Sequence, residues 1–264
     1  MKLGIIGYGS MGKMLLWKFS ENDHIARADL YVNNRTIDKC EDAAGIAQIV
    51  SANELASACD VIFVCVRPSD IRTVLEEIKD CIRDDALVVS LNGSVSFEAI
   101  SSVIDCQTAK AIPSLTAEIG RSQTLVCYND KVTTPNRAKL KTLLSVIGDV
   151  IELPENEMGM GSELVSCMPG FIASIFDVIC TSAKKHTAIP DDQIVKMVLQ
   201  TMSATSDLML QKGMTFEDVV TRVATPGGIT EEGTKVVYED FPKTADLLFE
   251  RTLEKRRETA QKNK

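Results

Sequence analysis

Three glycines near the N-terminus have the spacing of a phosphate-binding turn. Gly7, Gly9 and Gly12 follow a short apolar run and precede a stretch with apolar residues at helical spacing. Gly7 permits a tight turn, Gly9 lets the backbone approach a pyrophosphate, and Gly12 lets the helix pack closely on the strand. The free amides at the start of such a helix attract anions. The pattern predicts a dinucleotide site, the alternative being a Gly-rich turn with only a structural role.

The end of the next predicted strand carries no carboxylate. An Asp or Glu at this point usually binds the ribose hydroxyls of NAD. Here the chain reads Asn33-Asn34-Arg35-Thr36. Arg35 offers a bidentate guanidinium to a 2′-phosphate, and Asn34 and Thr36 are neutral hydrogen-bonding groups. NADP(H) is therefore predicted over NAD(H). In the alternative interpretation, Arg35 is a solvated surface residue and Thr36 caps the following helix.

Strand and helix patterns alternate over the first part of the chain, which predicts an α/β domain with a mainly parallel, doubly wound sheet of the Rossmann type. The run at 60–66 is apolar throughout and is expected in the middle of the sheet, with Ser69 capping the helix after it. Parallel strands share one carboxyl edge, where ligands bind in open α/β sheets. The predicted cofactor-binding residues are Gly7, Tyr8, Gly9, Ser10, Met11, Gly12, Asn34, Arg35, Thr36, Val66, Arg67, Pro68, Asn92 and Pro113.

Beyond residue 156 the strand patterns stop and apolar residues recur at helical spacing. We therefore predict two domains, with residues 1–156 binding the dinucleotide and residues 157–264 forming an all-helical domain. Wide apolar faces at 171–180 and 195–202 are typical of a helical unit that packs on a second chain. We therefore predict a homodimer through the C-terminal helices, which can assemble into a higher oligomer. The charged run at 253–264 is expected to be a solvated helix end.

The composition excludes several classes of protein. A net charge of -8 argues against a nucleic-acid partner. No run is expected to approach the ~20 apolar residues of a membrane span, and the chain enters a core strand at once, so a cytoplasmic protein without a membrane partner is predicted. The eight cysteines are scattered and are expected to be reduced. The only histidines, His24 and His186, are expected at the surface, so no metal site is predicted.

A second candidate site lies in the helical region, where Pro226-Gly227-Gly228 interrupts the pattern and a helix restarts at about Thr230. The turn could be a linker. It also places backbone amides and the hydroxyls of Thr225 and Thr230 at a helix N-terminus, which suits a small anionic ligand.

Five motifs occur in the order GYGSMG, VCVRPSD, SLNG, AIPSLT and TPGGIT, and with them nearly the whole chain resembles the pyrroline-5-carboxylate reductase family. The resemblance implies that Thr230 hydrogen-bonds the imine nitrogen of the substrate. Two positions depart from the family pattern, because Met168 replaces a glycine and Ser114 an asparagine. In its motifs the chain looks most like the late-competence branch of the family. The implied substrate-binding residues are Ser166, Cys167, Met168, Gly227, Gly228 and Thr230.

Three functional hypotheses follow. In the first, NADPH gives a hydride to a cyclic imine amino acid, such as 1-pyrroline-5-carboxylate, which becomes L-proline. In the second, Met168 has changed the substrate pocket so that catalysis is lost, and the protein is an NADPH-binding regulator. A third, a β-hydroxyacid dehydrogenase, requires a catalytic lysine on the first interdomain helix, and Lys184 and Lys185 come too late in that helix.

Overall fold

A computed structural model describes residues 1–23 and 25–262, and its centre is an eight-stranded sheet. The strand order is β3-β2-β1-β4-β5-β6-β7-β8, and all neighbouring pairs are parallel except β6 and β7. This confirms the mainly parallel sheet predicted above. The strands are β1 (Leu3–Ile6), β2 (Leu30–Asn33), β3 (Gln48–Ile49), β4 (Val61–Val64), β5 (Leu87–Ser90), β6 (Gln107–Ile112), β7 (Ser122–Tyr128) and β8 (Gly148–Glu152).

In the described residues, ten α-helices surround or follow these strands. The helices that alternate with strands are α1 (Ser10–Ser20), α2 (Ala52–Ala58), α3 (Pro68–Ile78), α4 (Phe97–Ser101) and α5 (Thr134–Leu144). The later ones are α6 (Met158–Ser162), α7 (Met168–Ala183), α8 (Asp191–Lys212), α9 (Phe216–Val223) and α10 (Ile229–Lys262). A π-helical turn at Glu163–Cys167 joins α6 to α7. In the described part of the chain no strand follows β8, as predicted.

The fourth strand shows why the sheet is covered on both faces. Val61 and Phe63 belong to one buried apolar cluster, whereas Ile62 and Val64 belong to another. Successive side chains of a strand point to opposite faces, so both faces of β4 are buried. Such a strand has no polar face, which is why it reads as a continuous apolar run. Its central position confirms the prediction made for residues 60–66.

One predicted helix start and the type of another helix differ from the structure. The helix after β4 begins at Pro68, with Arg67 at the N-cap position, so the prediction that Ser69 caps it is wrong. Proline takes the first helical position readily because its fixed φ suits the helix and its missing amide has no partner there. After β2, residues Ile37–Ala43 form a 3-10 helix instead of an α-helix. Its buried residues Cys40 and Ala43 are three apart, which is the 3-10 period.

The chain forms two compact units. The sheet unit comprises Met1–Pro169 and the residues from Leu253 on, and the helical unit comprises Gly170–Thr252. The predicted division at residue 156 follows the change in secondary structure, whereas the compact unit continues through α6, which packs against β7. The final helix α10 therefore contributes to both units.

The helical stretch Glu155–Ala183 is long and apolar enough, by length and composition, to cross a membrane. The expectation that no run approaches this length is therefore wrong. The stretch is weak support for a membrane span, since core helices of soluble proteins pass the same test, but only 6% of its apolar window is buried within the chain. The rest of the window is at least partly exposed in the single chain.

Of the two histidines, His186 is exposed as predicted, and His24 lies outside the described residues.

Candidate active site

The glycine turn has the geometry that a pyrophosphate needs. Gly7 has a φ of 100°, and a β-carbon there would lie 2.6 Å from the carbonyl oxygen of Cys65. A β-carbon on Gly12 would lie 2.0 Å from the carbonyl oxygen of Gly7. At Gly9 the space is open, with no atom within 4 Å of the same position. The turn is closed toward the protein and open toward a ligand, so it fits a dinucleotide.

Asn34 fixes the glycine turn to the end of β2. Its side-chain oxygen accepts the amide of Tyr8 at 3.0 Å, and its side-chain nitrogen donates to the carbonyl of Thr36 at 2.8 Å. One amide side chain therefore sets the distance between the phosphate-binding turn and the segment that carries Arg35. This structural use of Asn34 leaves Arg35 and Thr36, both exposed, to face a ligand.

Tyr8 contributes its backbone rather than its ring to the site. The ring is 5% exposed and packs in the core, where burial raises the pKa of the hydroxyl to about 12. Lys13 lies 6.0 Å from the ring centroid and pairs with Asp42 on the 3-10 helix after β2. The ion pair therefore links α1, which follows the glycine turn, to the 3-10 helix that follows β2.

A cleft of about 910 Å³ runs along the carboxyl ends of β1, β2 and β4. Seven predicted cofactor-binding residues line it, and they are Gly7, Gly9, Asn34, Arg35, Thr36, Val66 and Arg67. Lys39 also lines it and was not predicted. It lies in the 3-10 helix that follows β2, and the shared cleft, not a helical spacing, brings it to the same lining as Arg35. The acidic Glu54, Asp70 and Glu77 are in the lining too, so the cations at its mouth do not make the whole cleft basic.

The remaining predicted cofactor-binding residues lie outside this lining. Ser10, Met11 and Gly12 start α1, and Pro68 starts α3. Asn92 follows β5, where its side-chain oxygen accepts the amide of Ser94 at 2.8 Å. Pro113 follows β6 and is buried. Because β4, β5 and β6 run parallel, Arg67, Asn92 and Pro113 do share one sheet edge, as predicted.

The predicted substrate residues Ser166 and Cys167 lie in the π turn, and Met168 begins α7. A proline cannot donate to the carbonyl four residues before it, and its ring crowds that carbonyl. Pro169 therefore accounts for a widened turn at this point. The amides of 166–168 consequently lie inside a continuous helical stretch, not at a free helix N-terminus.

A buried ion pair adjoins this turn and was not predicted. Arg256 donates from Nε and Nη2 to Glu163 Oε1, at 3.1 and 2.8 Å. The Glu163 side chain is 2% exposed and that of Arg256 is 20% exposed. Arg256 belongs to the run that was expected to be a solvated helix end, so that expectation is wrong for this residue.

The Pro226-Gly227-Gly228 turn lies in the helical unit, directly before α10. Gly227 has a φ of 74° and donates its amide to the carboxylate of Glu231 at 2.8 Å, while Gly228 donates to the carbonyl of Thr225 at 2.8 Å. The turn does attract an anion, but the carboxylate present is its own. Thr230 is exposed within the first turn of α10. The roles of these residues toward a substrate stay predictions.

Within residues 1–23 and 25–262, no cluster of three His, Cys, Asp or Glu side chains forms a metal site. The buried thiols are also poorly suited to metal binding or nucleophilic chemistry. Burial raises the pKa of Cys59 to about 12 and that of Cys127 to about 11, so both stay protonated near neutral pH.

Comparison with known proteins divides the chain in a similar way. Residues 2–93 match a family described as NADP oxidoreductase, coenzyme F420-dependent, and residues 155–259 match pyrroline-5-carboxylate reductase dimerisation. The chain is 29% identical to pyrroline-5-carboxylate reductase 3 of Bacillus subtilis, covering 96% of this chain and 95% of the relative. It is 26% identical to ComE operon protein 4 of the same organism, covering 96% and 94%.

Solved structures show the same fold. The pyrroline carboxylate reductase of Plasmodium falciparum, solved with NADP bound, matches with a TM-score of 0.88 at 20% identity, covering 98% of each chain. The 1-pyrroline-5-carboxylate reductase of Streptococcus pyogenes matches with a TM-score of 0.87 at 19% identity, covering 97% of this chain and 98% of that chain. The sheet followed by helices is therefore a known arrangement for a chain of this length.

Proposed function

Because the chain belongs to the pyrroline-5-carboxylate reductase family, whose members are NAD(P)H-dependent oxidoreductases acting on C=N bonds, we propose that it reduces a cyclic imine amino acid with NADPH. The substrate is 1-pyrroline-5-carboxylate, converted to L-proline, or a related imine. One observation carries the proposal. An intact glycine turn with an open ligand side occurs in the same chain as a helical region that matches the dimerisation part of these reductases.

The charges at the mouth of the cleft support NADP(H) over NAD(H). Arg35 and Lys39 are exposed and line the cleft beside Thr36, and β2 ends without a carboxylate. A guanidinium and an ammonium together suit the dianionic 2′-phosphate, which NAD lacks. Thr36 adds a neutral hydroxyl. We propose no metal, since a hydride transfer to an imine needs none.

The chain's own residues supply binding and orientation. When bound, NADPH provides the hydride. A protonated imine is already electrophilic, so the protein chiefly aligns the reactants, and a catalytic histidine is not required. We assign the hydrogen bond to the ring nitrogen to Thr230 and the nicotinamide pocket to Asn92 and Pro113. We assign the substrate carboxylate to the segments 166–168 and 227–228. The amides of 166–168 lie inside the helix, so the Ser166 hydroxyl is the donor that this segment offers, and at Gly227 the carboxylate must displace Glu231.

The helical region serves assembly. An apolar groove of about 950 Å³ lies on the helical unit, and it is lined largely by aliphatic and aromatic side chains of α7, α8 and α9. The match to the dimerisation family spans these helices. A second copy of the chain covers this groove and the exposed apolar stretch at Glu155–Ala183, so a cytoplasmic homodimer, with room for higher assembly, accounts for both.

The decisive experiment incubates the purified protein with NADPH and 1-pyrroline-5-carboxylate and follows the absorbance of NADPH. Oxidation that depends on the imine is expected. Tight NADPH binding without oxidation, for this imine and for its ring homologues, would instead support the NADPH-binding regulator, which no specific observation of the structure favours.

Thr230→Ala tests the assigned catalytic contact. Loss of one hydrogen bond of ~1.5–3 kcal/mol should lower turnover roughly ten- to a hundred-fold. Thr230→Ser keeps the hydroxyl and is the matched control, so it should retain most of the activity. Undiminished imine reduction by the alanine variant would exclude this role.

A further inference from the structure

We propose that Arg256 is a positioning residue for the substrate side of the site, because it fastens the end of α10 to the π turn that carries Ser166 and Cys167. The inference rests on the proposed function for the role of that turn. It gives a role to the C-terminal part of α10, which belongs neither to the glycine turn nor to the apolar groove.

The contact is a fixed fork rather than a loose surface pair. Nε and Nη2 of Arg256 donate to the same oxygen of Glu163, at 3.1 and 2.8 Å, and Nη2 also donates to Ser162 Oγ at 3.0 Å. Glu163 is the first residue of the π turn, and Ser162 is the last of α6. Arg256 therefore holds the junction at which the helix changes from α to π.

Two glycines lie next to the Arg256 side chain, at van der Waals distance. A β-carbon at Gly159 would lie 3.4 Å from Cδ of Arg256, and one at Gly93 would lie 3.6 Å from Nη1. Gly93 comes directly after Asn92, at the carboxyl end of β5. Arg256 thus lies between the loop assigned to the nicotinamide pocket and the turn assigned to the substrate carboxylate. The side chain is therefore placed to fix the position of the loop after β5 relative to the π turn.

The carboxylate of Glu163 depends on this partner. It is almost fully buried, and its Oε2 has no hydrogen-bond partner among the described residues. The pKa of the neighbouring Cys167 thiol is raised, first by burial and then by the charge of Glu163, whereas Arg256 acts in the opposite direction. A buried charge without a counter-ion is strongly unfavourable. Without Arg256 the Glu163 carboxylate must take up a proton or reach solvent, and either change loosens the hold on the π turn.

The test compares three variants. Arg256→Met removes the fork and keeps a long apolar side chain. Arg257→Met makes the same change at the adjacent position, where the arginine is exposed. The double variant Glu163→Gln/Arg256→Met also removes the buried carboxylate, so it folds even where the single variant does not. For each variant, steady-state kinetics give the Michaelis constants for the pyrroline substrate and for NADPH, and mass spectrometry follows hydrogen exchange in the peptide 158–169.

If Arg256 positions the substrate side of the site, its loss should change the KM for the imine more than the KM for NADPH. In Arg256→Met and in the double variant, the KM for the imine should rise about tenfold while the KM for NADPH stays within about twofold. Exchange in 158–169 should become faster. Arg257→Met should behave as the wild type. A folded double variant with an unchanged imine KM, or an equal rise in both KM values, would overturn the proposal.

Failure of the proposed function has a different signature. If the wild-type protein oxidises no NADPH with any cyclic imine, the reductase proposal fails. The exchange of 158–169 still decides whether Arg256 fixes the turn, because that measurement needs no turnover. Unchanged exchange in Arg256→Met would reject the contact itself.

Discussion

The two compact units differ in how much apolar surface they bury within one chain. Of the buried hydrophobic residues, only Cys180 and Ile194 belong to the helical unit, and all the others described belong to the sheet unit. The helical unit instead exposes large apolar side chains, among them Ile179, Phe216 and Tyr238. Hydrophobic burial is the main favourable term in folding. The sheet unit thus completes its core alone, whereas the helical unit needs a second surface.

Glycines that are crowded by backbone explain why the phosphate-binding turn is well defined. In the sheet unit, a β-carbon on Gly7, Gly12 or Gly148 would lie within 3 Å of backbone atoms. Gly9 of the same turn has no atom within 4 Å of that position, which leaves its outer side open. In the helical unit, Gly170 and Gly233 are open as well, whereas a β-carbon on Gly228 would lie 2.8 Å from the carbonyl oxygen of Thr225. Contacts within one chain therefore determine the shape of the glycine turn.

The largest expected effect is that of Gly12→Ala. The added carbon would lie 2.0 Å from the carbonyl oxygen of Gly7, and neither backbone segment can yield without opening the turn. NADPH affinity, measured by calorimetry, should fall at least about a hundred-fold. Gly233→Ala is the control, and it should leave NADPH affinity unchanged. Equal effects of the two changes would remove the distinction between the units.

The exposed apolar groove gives the next largest effect. Ile179 lines the groove and is 46% exposed in the single chain. If a second copy covers it, Ile179→Asp buries a charge and should raise the dimer dissociation constant at least about 30-fold. Sedimentation equilibrium measures this constant. The exposed polar Gln211 on α8 provides the control Gln211→Asp. A wild-type protein that is monomeric at micromolar concentration would contradict the assignment of the groove.

Removal of the cations at the cleft mouth should have a smaller effect. Arg35→Met and Lys39→Met each remove one proposed partner of the 2′-phosphate and should raise the KM for NADPH about tenfold. The KM for NADH should change little, because NADH lacks that phosphate. Lys141→Met, at an exposed position on α5, is the control for net charge. Equal changes with both nucleotides would show that these side chains bind another part of the cofactor.

Much of the sheet unit could be predicted because its signals are local. Buried parallel strands are apolar throughout, and Gly7, Gly9 and Gly12 occur at a spacing that is visible within six residues of sequence. Lys39 gave no such signal, because it enters the cleft through the 3-10 helix whose type was not predicted. The end of β2 was predicted to precede an α-helix, but only Cys40 and Ala43 are buried there, too few to fix the helix type in advance.

The substrate side could not be predicted to the same extent, because its contacts are distant in sequence. Arg256 and Glu163 are 93 residues apart, and a charged run at the end of a chain is normally solvated. The amide of Gly227 was expected to be free for a ligand, yet Glu231 accepts it. Neither contact leaves a periodic pattern. Side-chain pairings of this kind become visible only in three dimensions.

The smallest effect concerns two capping boxes, one in each unit. Ser51 and Glu54 form one box at the start of α2, and Thr215 and Asp218 form another at α9. Loss of either cap should cost ~1 kcal/mol. Helix α2 has three buried residues, so Ser51→Ala should lower the Tm by about 2–4 °C. Helix α9 has no buried residue, so Thr215→Ala should mainly speed hydrogen exchange in 215–223.

The pH dependence of these boxes sharpens the comparison. Hydrogen bonds from the Ser51 backbone and hydroxyl lower the pKa of Glu54 below 4.5, and those from Thr215 lower the pKa of Asp218 below 3.8. A lowered folded-state pKa stabilises the protein above the unfolded-state pKa, and that stabilisation is lost as the pH falls through the folded-state value. The Tm difference between wild type and Ser51→Ala should therefore be constant from pH 7 to about 5 and shrink below 4.5. A difference that grew on acidification would mean that the Glu54 carboxylate opposes folding, because only a group with a raised folded-state pKa gains stability in acid.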